Sequence, residues 1–384
     1  ELTDALMEAL SAEIARFHAA AEAVSGMGGR ASLAIEIDGN EQNLRQAPPE
    51  AFAPDVCASL VRRWRHDLVR YAEALDRRDA SGHVRRCHGD LHLRNIFLWH
   101  GRPALFDCIE FSEHLSCIDV LYDLAFLLMD LEHRKLRPFA NVVFNSYLDR
   151  NDETDGIGAL PLMMSLRSAI RAHTGVAAAR AQTRSERRQA IIDEARAYLE
   201  LSERLLQQRG PQLVAIGGVS GTGKSTLARA LAPERGVVPG ARVLHTDALR
   251  KRMFGVEKAM RLGAEAYTPE VNEAVYRSQR EAAAASLRSG YSAIVDGVFS
   301  RPEERAAIAA VAQECGVPFA GLWLSASSEV LRARVAARKG DMSDATVDVL
   351  EDQLERDPGV VGWRRVEAGG PLAGTLERAR GAIS

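Results

Sequence analysis

The spacing of apolar residues divides the chain into a helical first half and an alternating second half. Leu6, Leu10, Ile14 and Phe17 recur at helical intervals and predict a helix over residues 4–22. Gly26–Arg30 breaks that pattern. Ala31–Ile37 reads as one short strand, closed by the turn signal Asp38-Gly39-Asn40. Pro48, Pro49 and Pro54 lead into a second long helix, about 55–79. From 84 to 107 short strands surround a polar loop, and Ile96–Trp99 and Pro103–Phe106 flank His100-Gly101-Arg102 as a hairpin. From Asp119 to about Gln208 the pattern is helical, with interruptions near Pro138, Asn151–Gly158 and His173-Thr174-Gly175. Asp119 is expected to cap the helix 120–134.

Gln207–Pro211 is the expected boundary between two domains, 1–208 and 211–384. Strands are predicted beyond it at 212–217, 242–246, 292–296, 318–324 and 363–367. Helices are predicted at 224–232, from Asp247, and at 269–289, 302–314, 327–338, 344–356 and 372–382. Such alternation implies a parallel sheet covered on both faces.

Composition narrows the class. The chain has 384 residues, 46% hydrophobic and 26% charged, with a net charge of −3. Those are the proportions of a globular protein, and a charge so near neutral argues for neither a nucleic-acid partner nor a membrane surface. No apolar run has the length of a membrane span. Cys57, Cys87, Cys108, Cys117 and Cys315 lack paired spacing, which reads as reduced thiols in a cytoplasmic protein. Lysine occurs only at 135, 224, 251, 258 and 339.

The chemistry gathers in two stretches. Gly218-Val-Ser-Gly-Thr-Gly-Lys-Ser225 fits G-x-x-x-x-G-K-[ST], the Walker A pattern, between an apolar strand and a helix. That order surrounds a phosphate with backbone N–H groups and a helix N-terminus. Gly218, Ser220, Gly221, Thr222, Gly223, Lys224, Ser225 and Thr226 are the expected ATP-binding residues, with Lys224 on the β- and γ-phosphates and Ser225 on Mg²⁺. The second stretch is His88-Gly-Asp-Leu-His-Leu-Arg-Asn95, which keeps the histidine, Asp and Asn spacing of a kinase catalytic loop. Phe106-Asp107-Cys108 follows twelve residues beyond Asn95. The intervening hairpin brings Asn95 and Asp107 together as Mg²⁺ ligands, and Asp90 can accept a hydroxyl proton.

His88–Asn95 followed by Leu105–Phe111 resembles the aminoglycoside phosphotransferase family, a branch of the protein-kinase-like fold. The resemblance covers about 1–208. It implies Asp90 as catalytic base, Asn95 and Asp107 as metal ligands, and His88 as a brace of the loop. It also implies a β-rich lobe with a lysine–glutamate pair ahead of the loop. Residues 1–87 contain no lysine and are mostly helical in pattern, so this lobe is expected to be missing. Since the chain starts at Glu1, it is expected to be a fragment of a longer protein.

The Walker half is similar to the small P-loop kinases of the gluconate kinase, chloramphenicol phosphotransferase, zeta-toxin and polynucleotide kinase group. Asp247, after the second strand, is the expected general base, and Asp296 the carboxylate at the third strand's end. Arg334 and Arg338, four apart before a mobile lid at 340–344, are candidates for steadying the transferred phosphoryl group. The fold expected is a mainly α, kinase-like C-lobe with a small hairpin, followed by an α/β P-loop kinase. The function expected is ATP- and Mg²⁺-dependent phosphate transfer to a hydroxyl of a small molecule. The rivals are a toxin-like kinase of nucleotide-sugars or nucleic-acid ends, and a regulatory ATP-binding module whose kinase-like half is an interaction platform.

Overall fold

The computed structural model describes residues 2–207, 209–256, 260–337 and 344–383. The chain forms two compact units, Glu1–Gln208 and Arg209–Ser384.

In the first unit α1 (Asp4–Ala20), α2 (Gly29–Arg45) and α3 (Pro54–Ala80) precede strand β1 (Val84–Arg86). The hairpin strands β2 (Ile96–Trp99) and β3 (Arg102–Leu105) follow, then α4 (Glu113–Ser116) and β4 (Cys117–Asp119). Four longer helices complete the unit: α5 (Val120–His133), α6 (Arg137–Leu148), α7 (Leu160–Arg180) and α8 (Ser185–Leu205). The hairpin predicted at 96–106 is present, and β1 also pairs antiparallel with β4. Every α5 residue from Val120 to Leu131 is buried, so this helix is the axis of the unit. Polar ties hold the others round it. Trp64 Nε1 donates to Ser165 Oγ at 2.7 Å, joining α3 to α7. Arg78 is wholly buried and satisfied by Asp119, Glu153 and Asp155, at 2.7, 2.6 and 2.7 Å. A buried guanidinium persists only with such partners. Asp119 also caps α5, accepting the Leu121 N–H at 2.8 Å.

Two local expectations fail here. Ala31–Ile37 is helix, not strand: Leu33, Ile37, Asn40 and Leu44 are the buried positions of α2, a helical period, while Ile35 is exposed. The alternation that suggested a strand does not mark one buried face. The predicted interruption at His173–Gly175 is absent, because α7 runs through it. A Cβ at Gly175 would lie 3.2 Å from the Ala195 side chain, so the glycine lets α7 and α8 approach closely. Thr174 returns its hydroxyl to the Ile170 carbonyl at 2.7 Å.

The second unit has the predicted alternation. Its elements are β5 (Leu213–Gly217), α9 (Lys224–Leu231), β6 (Arg242–His245), α10 (Thr246–Met253), α11 (Pro269–Arg288), β7 (Ala293–Asp296) and α12 (Pro302–Glu314). Then come β8 (Phe319–Ser325), α13 (Ser328–Ala336), α14 (Val347–Glu355), β9 (Arg364–Glu367) and α15 (Leu372–Ile383). The five strands lie in the order β6-β7-β5-β8-β9, and all pairs are parallel. Alternate residues of β5 face opposite cores. Val214 and Ile216 pack with Leu227 and Leu231 of α9, and Leu213 and Ala215 with the layer holding Leu287 and Ile308. Strand order reverses beside β5, and the crevice outside such a reversal is where open α/β sheets hold ligands. Among the described residues no helix is long and apolar enough to cross a membrane.

Candidate active site

The glycine loop leaves β5 at its carboxyl end and enters α9. Gly218, Gly221 and Gly223 take φ of 137°, 88° and 86°, conformations that L side chains rarely adopt. A Cβ on Gly218 would come within 2.6 Å of the Leu324 carbonyl oxygen, whereas the space at Gly223 is open. The Val219 carbonyl is held from within, by Thr222 Oγ1 at 2.8 Å and Lys224 Nζ at 3.1 Å. Thr226 follows in the first turn of α9.

Three strand ends converge beside this loop. Strand register sets Ile216, His245 and Asp296 level with one another. Ser225 Oγ donates to Asp296 Oδ2 at 2.6 Å, and His245 Nδ1 to Asp296 Oδ1 at 2.8 Å. Both carboxylate oxygens are thus used. Burial alone would raise the Asp296 pKa; the His245 ring, the Ser225 hydroxyl and the Lys224 ammonium outweigh it and hold the carboxyl below its usual range. From α11 the buried Gln279 Nε2 donates to the carbonyls of Leu244 and Asp296, at 2.7 and 2.9 Å, locking the ends of β6 and β7. These residues fit a magnesium–nucleotide: a hydroxyl and a carboxylate, both hard oxygen donors, sit at the start of a helix whose loop only glycines can form. Ser225 and Asp296 would hold the metal, directly or through water, and Lys224 would face the phosphates.

The other expected residues are spread around this centre. Asp247 is half-buried in the first turn of α10, two residues beyond His245. Arg334 is committed to backbone: its guanidinium donates to the carbonyls of Ala368, Gly369 and Gly370 at 2.8, 3.2 and 3.2 Å and reaches that of Gly221 at 3.4 Å. It ties the turn after β9 to the glycine loop. Arg338 lies outside the described residues. Arg250 is likewise occupied, by the Ala266 carbonyl and Asn272 Oδ1 at 2.6 and 2.8 Å. Tyr276 is a core residue whose hydroxyl accepts the Phe299 N–H at 3.0 Å.

In the first unit the catalytic-loop residues do meet. Asn95 Nδ2 donates to Asp90 Oδ2 at 2.9 Å, and His92 Nε2 lies 3.4 Å from the same oxygen. Burial favours protonation of Asp90, but His92, Asn95 and the Arg167 charge prevail and hold its pKa low. The hairpin pairs Ile96 with Leu105, and the Phe106 N–H donates to the Asn95 carbonyl at 3.2 Å. Asp107, exposed and at φ 62°, therefore stands at the same end as Asn95. His88 braces the loop as expected, bonding the Phe106 carbonyl through Nε2 at 2.9 Å. Asp123 of α5, an acid expected from the sequence to be solvated or paired, is paired here and supports the same loop. It is fully buried and accepts the His88 and Gly89 N–H groups at 3.1 and 2.9 Å and His18 Nε2 at 3.0 Å. The signal available was an acid set among the apolar residues of α5, which when buried must have donors.

Comparison with known proteins agrees with this division. Residues 1–159 match the model of the phosphotransferase enzyme family, and residues 213–357 match that of the AAA domain. Over 377 residues the chain is 29% identical to an uncharacterized protein of Mycobacterium tuberculosis and to one of Mycobacterium bovis, spanning 95% of this chain and 73% of theirs. Among solved structures, a gluconokinase from Sinorhizobium meliloti 1021 is 25% identical, with a TM-score of 0.32 over 46% of this chain and 93% of its own. A sugar kinase from Janibacter is 22% identical, with a TM-score of 0.33 over 46% and 95%. The Deinococcus radiodurans tunicamycin resistance protein is 21% identical, with a TM-score of 0.32 over 45% and 94%.

Proposed function

We propose that this kinase-type enzyme, a phosphotransferase-family domain joined to a P-loop kinase domain, uses the P-loop half to move the γ-phosphate of ATP to a hydroxyl of a small molecule. One observation carries the reading: the Ser225–Asp296–His245 chain of hydrogen bonds, set by strand register at the mouth of the glycine loop. Loop N–H groups and the α9 N-terminus would bind the phosphates, and Lys224 would offset the charge that builds during transfer. Mg²⁺, held by Ser225 and Asp296, would supply Lewis-acid neutralisation of the phosphate charge. Asp247 is assigned the acceptor hydroxyl: it follows the carboxyl end of β6, where it can orient that oxygen and take its proton. Gln279 keeps the β6 and β7 ends fixed, so positioning, the main source of catalysis in phosphoryl transfer, rests on rigid elements.

Asp90, Asn95 and Asp107 gather the acceptor and metal side of a second kinase site. Among the described residues of the first unit no lysine–glutamate pair or strand-borne glycine loop accompanies them, and its lysine, Lys135, sits in the turn after α5. ATP turnover is therefore assigned to the second unit. The test is ATP consumption by the chain against a panel of sugars, antibiotics and nucleosides, with Lys224→Ala as the control. Acceptor-dependent consumption that disappears in the control supports the proposal. Its absence across the panel, in a protein that binds ATP, would favour a regulatory nucleotide-binding role.

A further inference from the structure

The core-facing stripe of α3 contains an acid. Leu60, Trp64, Asp67 and Leu75 recur at helical spacing and all four are buried, so a carboxylate stands where the period calls for an apolar side chain. Asp67 is 8% exposed, and among the described residues no donor or cation is in contact with it. A carboxylate taken out of water in this way is costly without a partner. Burial raises its pKa in spite of the charges of His66, Arg63 and Arg70. Asp67 lines an open groove of about 380 Å³ with Ser59, Arg62, Arg63, His66 and Arg70. The four basic side chains are exposed. Arg65 and Arg77 of the same helix pair with Asp38, Glu41 and Glu73. The basic groups of the groove have no such acid among the described residues. Arg63 donates instead to the Leu206 carbonyl, which fixes its place without offsetting its charge. Arg70 rests 5.3 Å over the Tyr71 ring.

We propose that this groove binds the phosphate ester of a small polyol, with the arginines on the phosphate and Asp67 on a hydroxyl. Arg63 and Arg70 lie one helical turn on either side of Asp67, so anion donors and a lone acceptor share one row. Guanidinium groups suit a phosphate because they offer several donors in one plane. Each simpler ligand leaves part of the groove unanswered. Inorganic phosphate would bring no hydroxyl to Asp67. A neutral sugar would leave the basic groups without a counter-charge, and a cation would be repelled by them. A polyol phosphate supplies the anion and also the donor that the buried carboxylate lacks. The site belongs to the first unit and does not depend on the P-loop reading.

The test is calorimetric titration of the full chain, without nucleotide, using glucose 6-phosphate, ribose 5-phosphate, glycerol 3-phosphate, glucose and inorganic phosphate. At least one ester is expected to bind at least about tenfold more tightly than inorganic phosphate or glucose, as for an added hydrogen bond to a charged group. Arg62→Gln/Arg70→Gln should weaken that ester at least about tenfold. Asp67→Leu, which restores the apolar stripe, should weaken it at least about fivefold and leave inorganic phosphate within about twofold. Should Asp67→Leu not fold, Asp67→Asn takes its place, with a loss of at least about threefold expected. Lys224→Ala should leave the ester's affinity within about twofold, which separates this groove from the glycine loop. Equal affinity for ester and inorganic phosphate, indifferent to Asp67, would reduce the groove to a basic surface that holds adventitious ions only and overturns the proposal. No binding of any ester, or binding lost with Lys224→Ala and kept in the α3 variants, overturns it too.

Discussion

At single residues, a few side chains carry separable effects. With Lys224 in its proposed place facing the β- and γ-phosphates, Lys224→Ala should lower ATP affinity measured by calorimetry by about a hundredfold or more. Unchanged affinity would mean that the loop holds no phosphate. Asp247→Asn should instead lower turnover by at least about a hundredfold while ATP affinity stays within a few-fold, because a base acts on the acceptor. Equal losses in both would make Asp247 a helix or metal residue. A third residue reports on pH. Burial pushes the His173 pKa down to about 4, below its unfolded value of about 6.5. The folded protein then binds fewer protons than the unfolded chain between those values. The resulting stability is complete above about 6.5 and is lost as pH falls towards 4, an effect on the order of 1–3 kcal/mol. Melting temperatures of the chain and of His173→Gln, compared at pH 7.5 and 4.5, should differ in slope, with the variant losing less on acidification. Parallel slopes would contradict the burial argument.

At the scale of the element, legibility followed the kind of order that each segment has. The second unit was readable almost strand by strand because a parallel sheet covered on both faces writes its strands as short apolar runs and its helices as separate amphipathic stretches. The helix predicted at 302–314 is α12 to the residue. The glycine loop was equally plain, since its three positive-φ positions admit little else. The partners of Asp296 were not plain: His245, Ser225 and Gln279 come from three other elements, and only the packing of β6, α9 and α11 against β7 joins them. α2 misled because Ala-Ser-Leu-Ala-Ile-Glu-Ile alternates over a few residues, and Gly39 looked like a turn. Gly39 has nothing within 4 Å of a built Cβ and lies inside the helix. Gly39→Ala should therefore stabilise the chain by about 0.5–1 kcal/mol in denaturant unfolding. Destabilisation there would favour the turn.

At the scale of the whole molecule, the chain carries two sets of kinase parts that are not equally complete. The second unit has the phosphate loop, the buried carboxylate at its mouth and a candidate base at the adjoining strand end. In the first unit, Asp123 and His88 hold Asp90, Asn95 and Asp107 in one loop cluster. No ATP clamp accompanies that cluster among the described residues. The central claim is that ATP turnover by this chain runs through the glycine loop at 218–225. The most direct measurement is the acceptor-dependent ATP turnover of the chain, of Lys224→Ala and of Asp90→Asn, side by side under saturating Mg²⁺. The account predicts that Lys224→Ala abolishes turnover and that Asp90→Asn retains it within about twofold, since positioning and neutralisation of the γ-phosphate belong to the second unit. Turnover that survives Lys224→Ala, or that is lost with Asp90→Asn, would contradict it.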